Sequence, residues 1–347
     1  MIFANIRVLR KPLNQFLAVA QALLKPGAQF IVYCSHQDYA RLMKNEEYFQ
    51  VAPGVWGMRI VFVNIYMVET GDKEWVLIDA GLYGSAGKIR RMAESLFGPD
   101  NPPKAIILTH GHFDHVGALK ELLSTWKVQV YAHFFEMPYL TGHSSYPPPD
   151  PSVGGGLMST MSFLYPKKPI QLGGYVHALS KDGHLPHMPD WISIHTPGHA
   201  PGHISLFRGR DKLLIAGDAF VTTKQESATS VMFQKKEICG PPKYFTTNWV
   251  SAALSVKKLR DLKPEIVASG HGQPMYGEEL HAGLDRLVNN FQELAIPKHG
   301  RYVNEPAKTN KYGLQYVPAE HTSKTLLFTV FAISAVLMFS IVRKAKR

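Results

Sequence analysis

Four side chains with metal-ligand chemistry fall within six residues: His110, His112, Asp114 and His115, in the string Thr-His-Gly-His-Phe-Asp-His-Val-Gly. Imidazole nitrogens and carboxylate oxygens are the usual ligands of zinc, iron and manganese. So short a stretch cannot wrap all four around one ion. The spacing suits two neighbouring ions, with His110 and His112 facing one and Asp114 and His115 the other. In a chain with 16 histidines a chance pair is easy. Four ligands at this spacing are not.

The elements that must position them can be read from the flanks. Ala105-Ile-Ile-Leu-Thr109 is apolar and β-prone, which puts the cluster on a turn past a buried strand, with a helix starting near Val116. Three further segments repeat the design. Asp190-Trp-Ile-Ser-Ile-His-Thr-Pro-Gly-His199 is a strand and a Pro-Gly turn ending on histidine. Leu213-Leu-Ile-Ala-Gly-Asp218 is a strand whose end presents a carboxylate, and Glu265-Ile-Val-Ala-Ser-Gly-His271-Gly carries a histidine between glycines. Strand ends are rigid, and glycine lets neighbouring groups approach closely.

These residues, in this order, resemble the metallo-β-lactamase fold superfamily of metal-dependent hydrolases, from about Val51 to about Val303. Val76-Leu-Ile-Asp79-Ala-Gly81 is similar to the family's first motif, in which the aspartate supports the metal loop without binding metal itself. The resemblance implies two divalent ions, zinc foremost with iron or manganese as alternatives. His110, His112 and His199 would hold one, Asp114, His115 and His271 the other, and Asp218 would bridge both. Thr196-Pro-Gly-His-Ala-Pro-Gly-His203 followed by Gly217-Asp-Ala looks like the branch holding glyoxalase II and the acyl-homoserine lactonases. After Asp218 the chain reads Ala-Phe-Val-Thr-Thr-Lys-Gln-Glu-Ser, unlike the glutathione-binding segment of glyoxalase II, which argues against glutathione thioesters.

The fold class implied is α/β, an αββα metallo-β-lactamase-like sandwich. The residues agree with it: Ile60–Val68 and Trp75–Asp79 read as antiparallel strands, Ser85–Phe97 and Trp249–Leu262 as helices. Gly277–Leu294 places Leu280, Leu284, Leu287, Phe291 and Leu294 on one helical face. The domain expected over 51–299 is catalytic, after an N-terminal extension, 1–50, to which no role is assigned.

Composition bounds the rest. A chain of 347 residues can bury a full core, and two cysteines exclude a disulfide scaffold. The net charge of +11 resides at the ends. Residues 1–37 carry about +4, Lys324 with the tail Arg343-Lys-Ala-Lys-Arg347 about +5, and the body between only about +2, so no nucleic-acid partner is expected. Past a linker, 300–324, the stretch 325–342 runs about 18 residues without a charge, or ~27 Å of helix. It predicts a C-terminal transmembrane helix before a basic tail, 343–347. The corresponding localisation is a single-pass membrane anchor with the catalytic domain in the cytoplasm.

The expected reaction is attack on an ester, thioester or lactone carbonyl by hydroxide held between the ions, with Asp218 fixing the pair and Asp114 handling the proton. Asp114 and Asp218 are therefore the catalytic candidates. Rivals on the same fold are phosphodiester cleavage and iron-dependent dioxygenation; a rival of another class is a non-catalytic membrane-tethered binding protein. The substrate is a small molecule, with an apolar acyl chain suggested by a Met/Phe cluster after Gly154-Gly-Gly156. Met161 and Phe163 in that cluster, and Tyr244 after the Asp218 motif, are the candidate substrate contacts. His203 is expected to hydrogen-bond inside the fold.

Overall fold

The computed structural model of the protein describes residues 48–319. A seven-stranded sheet runs in sequence order: β1 Tyr48–Ala52, β2 Val55–Ile60, β3 Val63–Gly71, β4 Glu74–Ile78, β5 Ala105–Ile107, β6 Val130–Ala132 and β7 Val176–Ala178. Pairing is antiparallel from β1 to β4 and parallel from β4 to β7. A five-stranded sheet contains β8 Trp191–His195, β9 Ile204–Arg208, β10 Leu213–Gly217, β11 Ile266–Ser269 and β12 Met275–Tyr276, in the order β12-β11-β10-β9-β8. Four longer helices are α1 Ala86–Phe97, α2 Leu119–Trp126, α3 Trp249–Asp261 and α4 Gly277–Asn289. A hairpin of β13 Lys308–Asn310 and β14 Gly313–Tyr316 follows.

Central strands such as Glu74–Ile78, Ala105–Ile107 and Leu213–Gly217 read as near-continuous apolar runs because both faces are covered. In β4, Trp75 and Leu77 pack with Ile89 and Met92 of α1 and Leu119 and Leu122 of α2, while Val76 and Ile78 face the other sheet. In β10, Leu213 and Ile215 join that inter-sheet core, while Leu214 and Ala216 pack on Val256 of α3 and Leu280, Leu284 and Leu287 of α4. Side chains alternate along a strand, so each strand feeds two cores and the layers are helix, sheet, sheet, helix. The αββα sandwich is therefore observed. The apolar face of 277–294 is also present, although the helix breaks at Asn290 before a short turn, Phe291–Leu294.

The transmembrane helix is not supported. Among the described residues no helix is long and apolar enough to cross a membrane. The longest, α3 and α4, have 13 residues each, or about 20 Å against a hydrocarbon core of about 30 Å. Both also bury one face in the core. The stretch 325–342 lies outside the described residues, as do 1–47 of the N-terminal extension. The membrane partner and the membrane localisation rested on that helix and are withdrawn with it.

Candidate metal centre

The ligand-type residues meet at one end of the sandwich, where strands of both sheets terminate. β5 ends at Ile107, and Thr109 carries the chain into His110 and His112. A helical turn then starts at Phe113, earlier than the sequence suggests, so Asp114 and His115 lie on the turn Phe113–Val116. The turn is pinned from below: Ala80 N–H donates to the His115 carbonyl at 2.7 Å and Gly117 N–H to the Gly81 carbonyl at 2.8 Å. A Cβ at Gly117 would lie 2.3 Å from the Tyr83 nitrogen, so only glycine allows this approach. From the second sheet, β8 leads to His199, β10 to Asp218 and β11 to His271.

Three groups of ligand atoms converge within 4.8 Å of one another: His110, His112 and His199; His110, His115 and Asp218; and Asp114, His115 and His271. His112 Nδ1 lies 2.9 Å from His110 Nε2 and 3.0 Å from His199 Nε2. Asp218 lies among them, with Oδ2 3.4 Å from His199 Nε2 and 3.0 Å from His271 Nε2, and Oδ1 3.7 Å from His115 Nε2. All seven side chains are buried.

The donor set fits divalent cations on two grounds. His115 Nε2 and Asp218 Oδ1 are buried and have no hydrogen-bond partner among the described residues. Such atoms are costly in a folded protein unless something binds them. The outward nitrogens, in contrast, are backed by oxygen, as metal-binding imidazoles are. His115 Nδ1 lies 2.8 Å from Asp79, His271 Nδ1 2.7 Å from the Phe62 carbonyl, His110 Nδ1 3.1 Å from Thr109 and His199 Nδ1 3.4 Å from Thr246.

Electrostatics divide the cluster: burial works against charge on His115 and His271, but the carboxylates, Asp79 foremost at His115 and Asp218 at His271, outweigh it and raise both. Burial, reinforced by neighbouring imidazoles, holds His110 and His199 well below the ordinary histidine range and His112 down to about 3. These rings are neutral, with a lone pair to give. Burial works against a charged Asp218, but His271 and His115 outweigh it and keep the carboxylate ionised. His203 stands behind: its Nε2 accepts the Asp218 backbone N–H at 2.8 Å, so its Nδ1–H points to Thr196 Oγ1, also 2.8 Å away. It is in none of the three ligand groups.

Tyr244 is buried beside Phe245 and Tyr165, whereas Met161 and Phe163 are 41% and 49% exposed. Three neighbours of the cluster escape sequence reading. Phe245 stacks on His112 with centroids 4.5 Å apart. Tyr146 packs against the same ring, also at 4.5 Å. Glu136, fully buried, hydrogen-bonds to Gly111 N–H between the first two histidines. All three come from irregular stretches with no periodicity to mark them.

The family model of the metallo-β-lactamase superfamily matches residues 58–271. The chain is 45% identical over 248 residues to the probable metallo-hydrolase YflN of Bacillus subtilis (strain 168), covering 71% of this chain and 94% of that one. It is 27% identical over 222 residues to the probable metallo-hydrolase YybB of the same organism, covering 63% of this chain and 85% of the relative. Among solved structures, a B3 metallo-β-lactamase described as the first with an active-site glutamic acid aligns with a TM-score of 0.50 at 18% identity. That alignment covers 75% of this chain and 94% of the other, and the likeness is one of fold.

Proposed function

The chain belongs to the metallo-β-lactamase superfamily, and on that premise we propose that it is a binuclear metal-dependent hydrolase acting on the carbonyl of an ester, thioester or lactone. The observation that carries this reading is the convergence of seven buried ligand-type side chains, two of them with inward atoms that no hydrogen bond satisfies. In this reading His110, His112 and His199 would hold one ion, Asp114, His115 and His271 the other, and Asp218 would serve both. When bound, such a pair supplies a water that ionises near neutral pH and a Lewis acid for the carbonyl oxygen. Zinc suits the nitrogen-rich first triad, and iron or manganese would be accommodated by the same donors.

The chain's own residues do the rest. Asp79 and the carbonyl of Phe62 fix the rings of His115 and His271. His203 holds the backbone of Asp218. Asp114 is assigned the proton, because its side chain keeps 8% of its surface open while that of Asp218 keeps 3%. The apolar part of a substrate would meet the wall built by Phe245, Tyr165, Phe113 and Met158, with Tyr244 packing it from behind. Met161 and Phe163 flank that wall in sequence and are the rim contacts in this reading. A phosphodiester is the weaker reading, since the body carries only about +2 with which to hold a polyanion.

The test is a panel of aryl and alkyl esters, thioesters, lactones and a phosphodiester, run on protein with its metal content measured. About two ions per chain and chelator-sensitive turnover of carbonyl substrates are expected. Turnover of the phosphodiester alone, or full activity with one ion, would overturn the reading.

A further inference from the structure

The two loops that bring His110, His112 and His199 together are joined through one buried carboxylate outside the ligand set. Glu136 lies at the end of a short helical turn, Phe134–Glu136, and is 0% exposed. Its Oε2 accepts Gly111 N–H at 2.9 Å, on the loop between His110 and His112. Its Oε1 accepts Gly202 N–H at 2.7 Å, on the loop that follows His199. The Tyr146 hydroxyl donates to Oε2 as well. The Tyr146 oxygen in turn takes a share of Gly111 N–H at 2.9 Å, and its ring lies between His112 and Tyr139, with centroids 4.5 and 4.0 Å away.

Both backbone partners of Glu136 are glycines for a reason of space. A Cβ at Gly202 would fall 2.8 Å from Glu136 Cγ and 2.9 Å from Oε1. One at Gly111 would fall 2.7 Å from the Tyr146 oxygen. The two loops leave different sheets; where they do, Ile204 N–H donates to the Thr109 carbonyl at 2.9 Å, and Glu136 ties them a second time, at Gly111 and Gly202. A buried carboxylate that accepts a hydrogen bond from each loop acts as a strut between them, strengthened by the low local dielectric.

We propose that Glu136, with Tyr146, is a positioning residue that couples the Gly111 and Gly202 loops and thereby sets the spacing of His110, His112 and His199 around one ion. This rests on the binuclear reading above, and it goes beyond that reading in making the two ions unequal in their support. Neither Glu136 nor Tyr146 touches the group formed by Asp114, His115 and His271 through any hydrogen bond among the described residues. The two ions should therefore respond differently to its loss.

The experiment is chelator competition on Glu136→Gln, followed by elemental analysis at each step. Glutamine keeps the length of the side chain but has one acceptor oxygen, so it can no longer accept from both glycine loops. The variant should bind one of its two ions about tenfold or more weakly and keep the other at the unmodified affinity. Tyr146→Phe leaves the ring and the fold in place and should weaken the same ion by a smaller factor. Loss of both ions in parallel would make Glu136 merely structural, and unchanged affinity for both would overturn the proposal while leaving the binuclear reading intact. An unmodified chain that binds no ion would overturn both.

Discussion

Asp79 Oδ2 lies 2.8 Å from His115 Nδ1 and accepts the Thr109 hydroxyl at 2.8 Å, while Oδ1 accepts Thr109 N–H at 2.8 Å. Asp79 thus ties the strand end to the helical turn and fixes which nitrogen of His115 carries the proton. With Nδ1 donating outward, Nε2 is the nitrogen that faces the cluster, and a metal there would take the place of its proton, as binding in this tautomer requires. The backbone at Asp79 is left-handed, φ 60°, a conformation that aspartate and asparagine tolerate better than most residues.

That geometry predicts the effect of Asp79→Asn. Asparagine can keep the left-handed backbone and accept Thr109 N–H with its oxygen. Its NH₂ then faces His115 Nδ1 and favours the opposite tautomer, with a proton on Nε2 pointing into the cluster. Metal affinity should fall about 10- to 100-fold with little change in folding. Metal titration beside thermal unfolding checks this, and an unaltered affinity would show that Asp79 does not set the tautomer.

Gly270→Ala tests the crowding at Asp218. A Cβ at Gly270 would lie 2.0 Å from Asp218 Oδ1 and 3.0 Å from His115 Cε1. The glycine is not in the left-handed region, so the alanine backbone is unstrained and the cost falls on the aspartate. On the proposed role of Asp218 as the bridge, displacing its carboxylate by about 1 Å should cost on the order of 100-fold in turnover and deplete at least one ion. A Gly270→Ala protein that retains two ions and full turnover would show that Asp218 is not the bridge.

The stability of the fold should fall on the acid side of neutrality, in part through His133. This ring stacks on His195 with centroids 4.0 Å apart, and burial, then the neighbouring imidazole, pushes it down to about 4. The sign follows from proton binding. Between the ordinary value near 6.5 and about 4 the unfolded chain binds the proton and the folded chain does not. The contribution is therefore present above about 6.5 and lost as pH falls towards 4. Asparagine at 133 keeps an acceptor for Phe135 N–H, which His133 Nδ1 now receives at 3.3 Å. His133→Asn should flatten the slope of unfolding free energy against pH in that window by up to one proton. Urea titrations of both proteins at several pH values, compared at equal metal concentration, decide it; parallel slopes would count against the assignment.

What the sequence reveals and what it hides divide along a physical line. Apolar runs such as Leu213–Gly217 are legible because each side chain along them has a covered face to fill. The residues just past those runs are legible because only a few side-chain types do metal chemistry. The start of the turn at Phe113 is missed because His112 leads into it in extended backbone with no side-chain cap. Glu136, Tyr146 and Phe245 are missed because they arrive from segments whose path is set by tertiary contacts. Nothing in the spacing of Glu136 signals that it will lie between Gly111 and Gly202. The stretch 325–342, whose lack of charge predicts a membrane helix, lies outside the described residues, and among those no helix is long and apolar enough to cross a membrane.

The identity of the substrate's apolar part is the most direct test of the wall beside the cluster. In the proposed reaction two ions would activate water without regard to what lies beyond the carbonyl, so discrimination would come from side chains that touch the rest of the substrate. Phe245 is the best placed, because it stacks on His112 at 4.5 Å and contacts Tyr165 at 5.9 Å. Phe113 extends the surface, with its ring 5.5 Å from Tyr165. Met161 and Phe163, in the same segment as Met158 and Tyr165, are half exposed, and on the proposed reading a longer chain covers them. Catalytic efficiency should accordingly rise with acyl length, by at most about fourfold per methylene, which corresponds to ~0.8 kcal/mol of burial. Phe245→Ala should lower efficiency for short and long chains alike, because it removes the first surface they meet. Met161→Ser and Phe163→Ser should leave short chains unaffected and flatten the rise for long ones. Kinetics on a series of esters or lactones of increasing length, with metal content verified for each variant, separates these outcomes. A flat profile in the unmodified protein would remove the wall from the substrate site and return Phe245 to packing alone.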